Sequence, residues 1–407
     1  MTEYRVEVHQ VKPGNKDYSE LKHLCFLSKN LYNATLYAVR QYFFDHRKYL
    51  NYYDVNRQFT HENQPDYREL PAKVAKQTQI LVDQNFKSFF SLLKNKDAKP
   101  KIPGYLPKNG YQTVHYNRQA LSFKTGKIRL SKTNIYINSK IPKEKVKFVR
   151  VVPRGNHIRL EVGYETETVL AREFNGKFAS IDPGLNNLFT VVSNVAAPTI
   201  YNGRPLKSIN QFYNKKKSKL QSVLEVRNKT KHSHKLETLS RVRDNKINDY
   251  LHKTTRMLVN YLVSNDITLL VVGRNVGWKQ SINIGRRNNQ NFVQVPIARA
   301  ISMLRYKAEA VGIKVVCVEE SYTSKCSFSD KETLEHHKSY AGKRKYRGLF
   351  IDSRGNLWNA DVNGAMNIAR KYFEGQEAWN DQYWFDLVEG CSDPCVSVVT
   401  PQLSTRS

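Results

Sequence analysis

Two short stretches of the 407-residue chain each place one acidic residue where a hydrophobic element stops: SIDPGLNN at 180–187 and WNADVNGAMNIARK at 358–371. The first reads as a buried strand from Lys177 to Asp182, broken by Pro183 and Gly184, which leaves Asp182 at a strand end. The second reads as a helix with Asp361 in its first turn and Val362, Ala365, Met366 and Ala369 recurring on a core face. Taken singly, Asp361 is a helix cap and Asp182 a turn former. Taken together, in a chain with 66 Lys and Arg against 36 Asp and Glu and a formal charge of +30, they point to metal-dependent cutting of nucleic acid.

So large a positive excess repels itself on folding and favours binding to a phosphate chain. No apolar run approaches the ~20 residues that span a bilayer, and the opening MTEYRVEVHQV alternates like a strand. A soluble protein with no membrane partner is expected. Five cysteines, Cys25, Cys317, Cys326, Cys391 and Cys395, are too few and too scattered to staple the chain, which suits a reducing, intracellular setting.

Several elements must position the two aspartates. Residues 3 to 12 suggest a strand, and 17 to 95 read mostly helical, with Leu24, Leu27, Leu31, Leu36 and Val39 on one face and Val74, Leu81, Val82, Phe86, Phe89 and Leu93 on another. The prolines and lysines of 97 to 110 mark a loop, and short β-like runs follow to about 168. From Lys177 the pattern becomes mixed α/β. It runs as three meandering strands (KFASID, LFTVVS, TIYNG), a long helical region at 206–264, the strand TLLVVG (268–273), a helix from Pro296 through Val311, the strand IKVVCVEE (313–320) and the final helix with Asp361. That order predicts an α/β, RNase H-like nuclease fold.

In such a sheet the first strand is central, the fourth lies beside it and the fifth beside the fourth. A third acid belongs at the end of TLLVVG, where this chain has Gly273. The next strand ends in Glu319 and Glu320, about 4.8 Å further across the sheet, a distance that the longer glutamate side chain recovers in part. Successive strand residues face opposite sides, so only one of the two can join the aspartates, and Glu320 is chosen. The plainer reading of the pair is solvated surface. With three carboxylates, two hard cations such as Mg²⁺ can be held by oxygen ligands.

The segments SIDPGLNN, VVGRNVGWKQ, QNFVQVPIARAISMLRYKAE, VEESYTSKC, GKRKYRGLF and NADVNGAMNIARK resemble the sequence blocks of the transposon-encoded TnpB proteins, compact RNA-guided nucleases related to type V CRISPR effectors and Fanzor proteins. The resemblance is strong over residues ~175 to 371 and loose before them. It implies an N-terminal β-barrel-like wedge module (1–16 and 97–172) with a helical recognition insertion (17–96). It further implies a RuvC nuclease domain (173–320 and 358–374), a zinc-ribbon-like insertion (321–357) and a C-terminal tail (375–407).

Asp182 matches the first RuvC aspartate and Asp361 the last. The glutamate missing at Gly273 is similar to that of branches which carry it in an E-S-Y-[TS]-S motif, here Glu320. Implied partners are a guide RNA transcribed from the transposon end and target DNA cut beside a short motif, by a protein expected to be a monomer in the cytoplasm of a prokaryote. The ribbon departs from the pattern: Cys326 matches a first ligand, Ser329 stands where the next cysteine would be, and His336 and His337 read as surface residues, so no structural zinc is expected.

An RNA-guided protein needs a basic channel along its heteroduplex. The dense stretch Lys215, Lys216, Lys217, Lys219 and onward to Lys235 suits it, although a solvated helix face reads the same way. For the DNA motif, Lys73, Lys76 and Gln77 are candidates, since both side-chain types can read base edges. Arg274, Asn275, Trp278 and Lys279 follow Gly273 and are expected to line the cleft. The competing reading is a nuclease-dead, RNA-guided DNA-binding repressor, which the glycine at 273 favours.

Overall fold

The computed structural model of the protein describes residues 2–95, 99–124, 126–275, 285, 289–290, 293–376, 380–391 and 396–404. Trp278, Lys279 and Cys395 lie outside the described residues. The chain divides into two units, Met1–Thr168 and Val169–Ser407.

In the first unit, β1 (Thr2–Val11) is followed by helices α1 (Tyr18–His46), α2 (Tyr52–His61), α3 (Pro65–Glu69) and α4 (Ala72–Leu93). The chain then forms β2 (Val114–Asn117), β3 (Leu121–Ser122), β4 (Ile128–Leu130), β5 (Tyr136–Ile137), β6 (Val146–Arg154) and β7 (His157–Glu167). One sheet has the order β1-β7-β6-β2 and a small one the order β3-β4-β5. In the four-stranded sheet β1 and β2 are the edges among the described strands. Its β2 spans only four residues and, among the described strands, pairs with β6 alone.

The helical stretch does not form a core of its own. Leu21, Leu31 and Leu36 of α1 and Val74, Val82 and Phe86 of α4 share one buried cluster with Val149, Val151 and Val162 of the sheet. Each such side chain, fully buried, contributes about 1.5–3 kcal/mol.

The second unit contains β8 (Phe178–Pro183), β9 (Asn187–Ser193), β10 (Thr199–Asn202), α5 (Arg204–Asn228), α6 (His234–Ser264), β11 (Leu269–Gly273), α7 (Ile297–Glu309) and β12 (Lys314–Val318). Then come the hairpin strands β13 (Lys343–Tyr346), β14 (Leu349–Ile351) and β15 (Leu357–Asn359), the helices α8 (Ala360–Glu374) and α9 (Asp381–Cys391), and β16 (Ser397–Val399). The helical region at 206–264 is thus two helices, parted where Lys229 takes a left-handed backbone with φ 49° and Ser233 caps the second by accepting from the Leu236 amide.

The main sheet has the order β12-β11-β8-β9-β10-β16, so β8 is central, β11 lies beside it and β12 beside β11, as the sequence order implied. β8, β11 and β12 run parallel, while β9 is antiparallel to both β8 and β10. Both faces are covered. Ala179, Ile181, Leu270 and Val272 join a core with α6 and α7, whereas Phe178, Leu269 and Val271 join another with α8 and α9. This strict alternation decides which residues beyond the strand ends can reach α8.

The segment after 374 is more than a tail. Leu387 and Cys391 of α9 are buried in the α8 core, and β16 pairs in parallel with β10. Its apolar positions are few and broken by Gly and Pro, so they carry little periodicity of their own; the exposed edge of β10 gives β16 its partner.

Candidate active site

Asp182 has the same parity as Phe178 and Ser180, so it faces α8 from the end of β8. The strand is tied to that helix by Ser180, whose hydroxyl donates to the Ala365 carbonyl at 2.6 Å. Asn359 caps α8 by accepting from the amides of Asp361 and Val362, which fixes Asp361 in the first turn. One turn later, the position a Cβ of Gly364 would take is 2.9 Å from Asp182 Oδ2. Asp361 and Gly364 share a helix face, so the two aspartates look into one place.

The third carboxylate comes from beyond β12. Val316 and Val318 pack toward α8, and Glu320 continues that parity. Gly273 is paired with Val318 in the parallel ladder, and a Cβ built on it would stand 2.7 Å from Glu320 Oε1 and 2.9 Å from Glu320 Cγ. Glu320 therefore occupies the space in which a side chain at 273 would begin. Asn275 holds it there: its side-chain amide donates to Glu320 Oε2 at 3.0 Å, and its carbonyl oxygen accepts from the Glu320 amide at 3.3 Å. Glu319 is exposed and turned elsewhere, accepting from Lys371 Nζ at 2.9 Å and from Ser321.

Burial pushes the Asp182 carboxyl well above the usual aspartate range, and the charges of Asp361 and Glu320 push it further, against the opposing pull of Arg344. Burial, then the neighbouring Glu319, raises Glu320 to about 7. Asp182 is half-buried by exposed surface, yet protein atoms crowd its carboxylate and no described residue donates a hydrogen bond to it. Asp361, by contrast, is engaged by Arg344 Nη2 at 3.1 Å and by Asn187 Nδ2 at 2.7 Å.

Among the described residues, no three acidic, imidazole or thiol groups are already gathered tightly enough to cage an ion. The reason is visible in the partners: Asp361 is drawn to Arg344 and Asn187, and Glu320 to Asn275. As a donor set the three carboxylates fit hard divalent cations, which take oxygen ligands and would relieve the mutual repulsion now carried by Asp182.

The structure thus brings together Asp182, Glu320 and Asp361. Sequence reasoning missed Asn187 and Arg344 as partners of Asp361. Asn187 sits inside the SIDPGLNN block, but nothing in its spacing marks it; Arg344 lies in the basic run GKRKYR, where no pattern separates one cation from the next.

The other candidates stand on other elements. Arg274 is exposed, and its amide donates to the Val318 carbonyl at 2.8 Å, extending the β11–β12 ladder. Lys215 and Lys216 are exposed on α5, with Lys216 over the Phe212 ring and Lys217 over Tyr213. Lys73, Lys76 and Gln77 stand at the start of α4 in the first unit, Lys73 exposed and the other two half-buried. Lys279 lies outside the described residues.

In the insertion, Cys326 is fully buried and its thiol donates to the carbonyl of Thr333. His336 is exposed, and His337 Nε2 lies 2.8 Å from the Thr333 carbonyl. Asp352, 5% exposed, gathers five donors: Trp358 Nε1, Asn356 Nδ2, the amides of Asn356 and Arg354, and the Ser329 hydroxyl. Asn363 and Asn367 of α8 pin the start of the insertion through the carbonyls of Cys326 and Thr323. No described helix is long and apolar enough to cross a membrane.

Comparison with known proteins agrees with this architecture. The family OrfB_IS605, described as a probable transposase, matches residues 161–279, and the family Cas12f1-like, TNB domain, matches residues 298–368. The TnpB-like protein ORF457 of Acidianus two-tailed virus is 25% identical over 414 residues, covering 90% of this chain and 86% of that protein. The CRISPR-associated endodeoxyribonuclease Cas12f2 of a Micrarchaeota archaeon is 30% identical over 232 residues, 54% of this chain and 41% of that protein. In fold, the chain is similar to the protein of a cryo-EM Cas12f1–sgRNA–target DNA complex, with a TM-score of 0.52 at 15% identity over 87% of this chain and 83% of the other. By these matches the chain is similar to TnpB-like and Cas12f proteins.

Proposed function

We propose that this protein is an RNA-guided DNA endonuclease of a mobile element, with a RuvC, RNase H-like nuclease domain in its second unit. The observation that carries the reading is the convergence of Asp182, Glu320 and Asp361 at one end of the central sheet, with Glu320 filling the place left empty by Gly273. That convergence supports an enzyme over a nuclease-dead binder, because the chain keeps three carboxylates despite lacking one at 273.

Asp182, Glu320 and Asp361 would hold two Mg²⁺ ions, which supply activation of the attacking water and stabilisation of the leaving 3′ oxygen. The chain's own residues set the geometry. Asn187 fixes the orientation of Asp361, and Asn275 fixes that of Glu320. Arg344, half-exposed beside Asp361, carries a guanidinium suited to a non-bridging phosphate oxygen of the bound strand.

Guide RNA and target DNA are proposed as partners, held through their backbones by cations such as Lys215, Lys216, Lys217, Arg274 and Lys279, with Lys73, Lys76 and Gln77 reading the flanking motif. Asp182→Ala, assayed as a ribonucleoprotein purified with its copurifying RNA, should lose Mg²⁺-dependent cleavage of a guided target while still binding RNA. Cleavage at the wild-type rate would remove the assignment.

A further inference from the structure

We propose that Gly273 and Asn275 form a built seat for the Glu320 carboxylate, so that both are positioning residues for the metal site. The proposal rests on the nuclease reading and deepens it. A Cβ at 273 would come 2.7 Å from Glu320 Oε1 and 2.9 Å from Glu320 Cγ, closer than real Cβ contacts come. The backbone does not itself demand glycine here, since the φ of Gly273 is not in the left-handed region. What needs the missing side chain is the carboxylate that crosses over from the neighbouring strand.

Asn275, two residues further along, closes the seat from the other side. Its amide nitrogen donates to Oε2 and its carbonyl oxygen accepts from the Glu320 amide, so both the side chain and the backbone of Glu320 are clasped. Gly273 leaves the room and Asn275 fixes the occupant. A shift of about 1 Å in a catalytic group is enough to cost about a hundredfold in rate.

One further contact must be separated from this one. The same Cβ would meet Ile368 Cδ1 on α8 at 2.6 Å, but that methyl is the far end of a flexible side chain, and Ile368→Val removes it. The geometry also allows the carboxylate to be moved. An aspartate oxygen stands two bonds from its Cβ, so Gly273→Asp combined with Glu320→Gly returns an oxygen close to the place of Oε1.

The test uses the full chain with its copurifying RNA. Guided DNA cleavage in Mg²⁺, Mn²⁺ binding by the electron paramagnetic resonance of the free ion, and the thermal midpoint without metal are measured on each variant. Gly273→Ala and Gly273→Ala/Ile368→Val are both expected to lose about a hundredfold in cleavage and to bind Mn²⁺ more weakly, with the metal-free midpoint kept. Asn275→Ala should weaken both in the same direction, and Gly273→Asp/Glu320→Gly should recover Mn²⁺ binding and part of the cleavage.

Wild-type cleavage and Mn²⁺ binding in Gly273→Ala would overturn the seat, as would recovery in Gly273→Ala/Ile368→Val, which would put the conflict with Ile368. Failure of the carboxylate transfer to regain Mn²⁺ binding in a folded protein would also overturn it. Glu320→Gln separates the two levels: if it cleaves like the wild type, the nuclease assignment of Glu320 fails; if it is inactive while Gly273→Ala is active, only the seat fails.

Discussion

The Asp182 carboxylate rests against Gly364, with Oδ2 2.9 Å from where a Cβ on that glycine would be. The first aspartate of the site thus depends on a hollow in the very helix that carries the last one. Gly364→Ala should raise helix propensity by up to about 1 kcal/mol while displacing Asp182. We expect a near-unchanged thermal midpoint and about a tenfold to hundredfold loss of guided cleavage, read by melting and by cleavage rate on the same preparation.

Asp182 also sets a pH dependence. Its folded value is raised, so from the ordinary aspartate value of 3.8 upward to that raised value the native chain holds a proton that the unfolded chain has lost. Stability of the metal-free protein therefore falls as pH rises through this window. Asp182→Asn removes the cost, and thermal midpoints without metal should be higher for the variant than for the wild type at neutral pH and converge at acid pH. Added Mg²⁺ should raise the wild-type midpoint and leave that of the variant little changed.

Asp352 holds the insertion together with five donors around one carboxylate. Asp352→Ala would leave Trp358 Nε1 and the neighbouring amides without an acceptor in a buried place, at a cost of about 2–4 kcal/mol. Limited proteolysis should then cut first within 321–357. A zinc chelator should change neither the midpoint nor the digestion pattern of the wild type.

Much of this was legible in the chain, because the signals were local. The unbroken, mostly apolar runs of KFASID and TLLVVG marked strands buried on both faces, and the stops at Asp182 and Gly273 followed from Pro183 and from the end of the apolar run. Strand alternation carries from Val316 and Val318 to Glu320, which is why Glu320 and not Glu319 turns toward α8. What sequence could not supply was the clasp between distant parts. Asn187 and Arg344 meet Asp361 only in the folded chain, and β16 has too short an apolar run to announce a strand until β10 offers an edge. In the first unit, strand patterns fix which residues are extended, while closure depends on pairings that pattern alone does not set, and the described strands pair in the order β1-β7-β6-β2.

The most direct measurement compares Glu320→Gln with Glu319→Gln in Mg²⁺-dependent cleavage of a guided, motif-flanked DNA by the ribonucleoprotein. The carboxylate of Glu320 lies in the site and that of Glu319 on Lys371. Glu320→Gln should lose about a thousandfold or more, and Glu319→Gln should cleave like the wild type. Wild-type cleavage by Glu320→Gln, or loss confined to Glu319→Gln, would contradict the account.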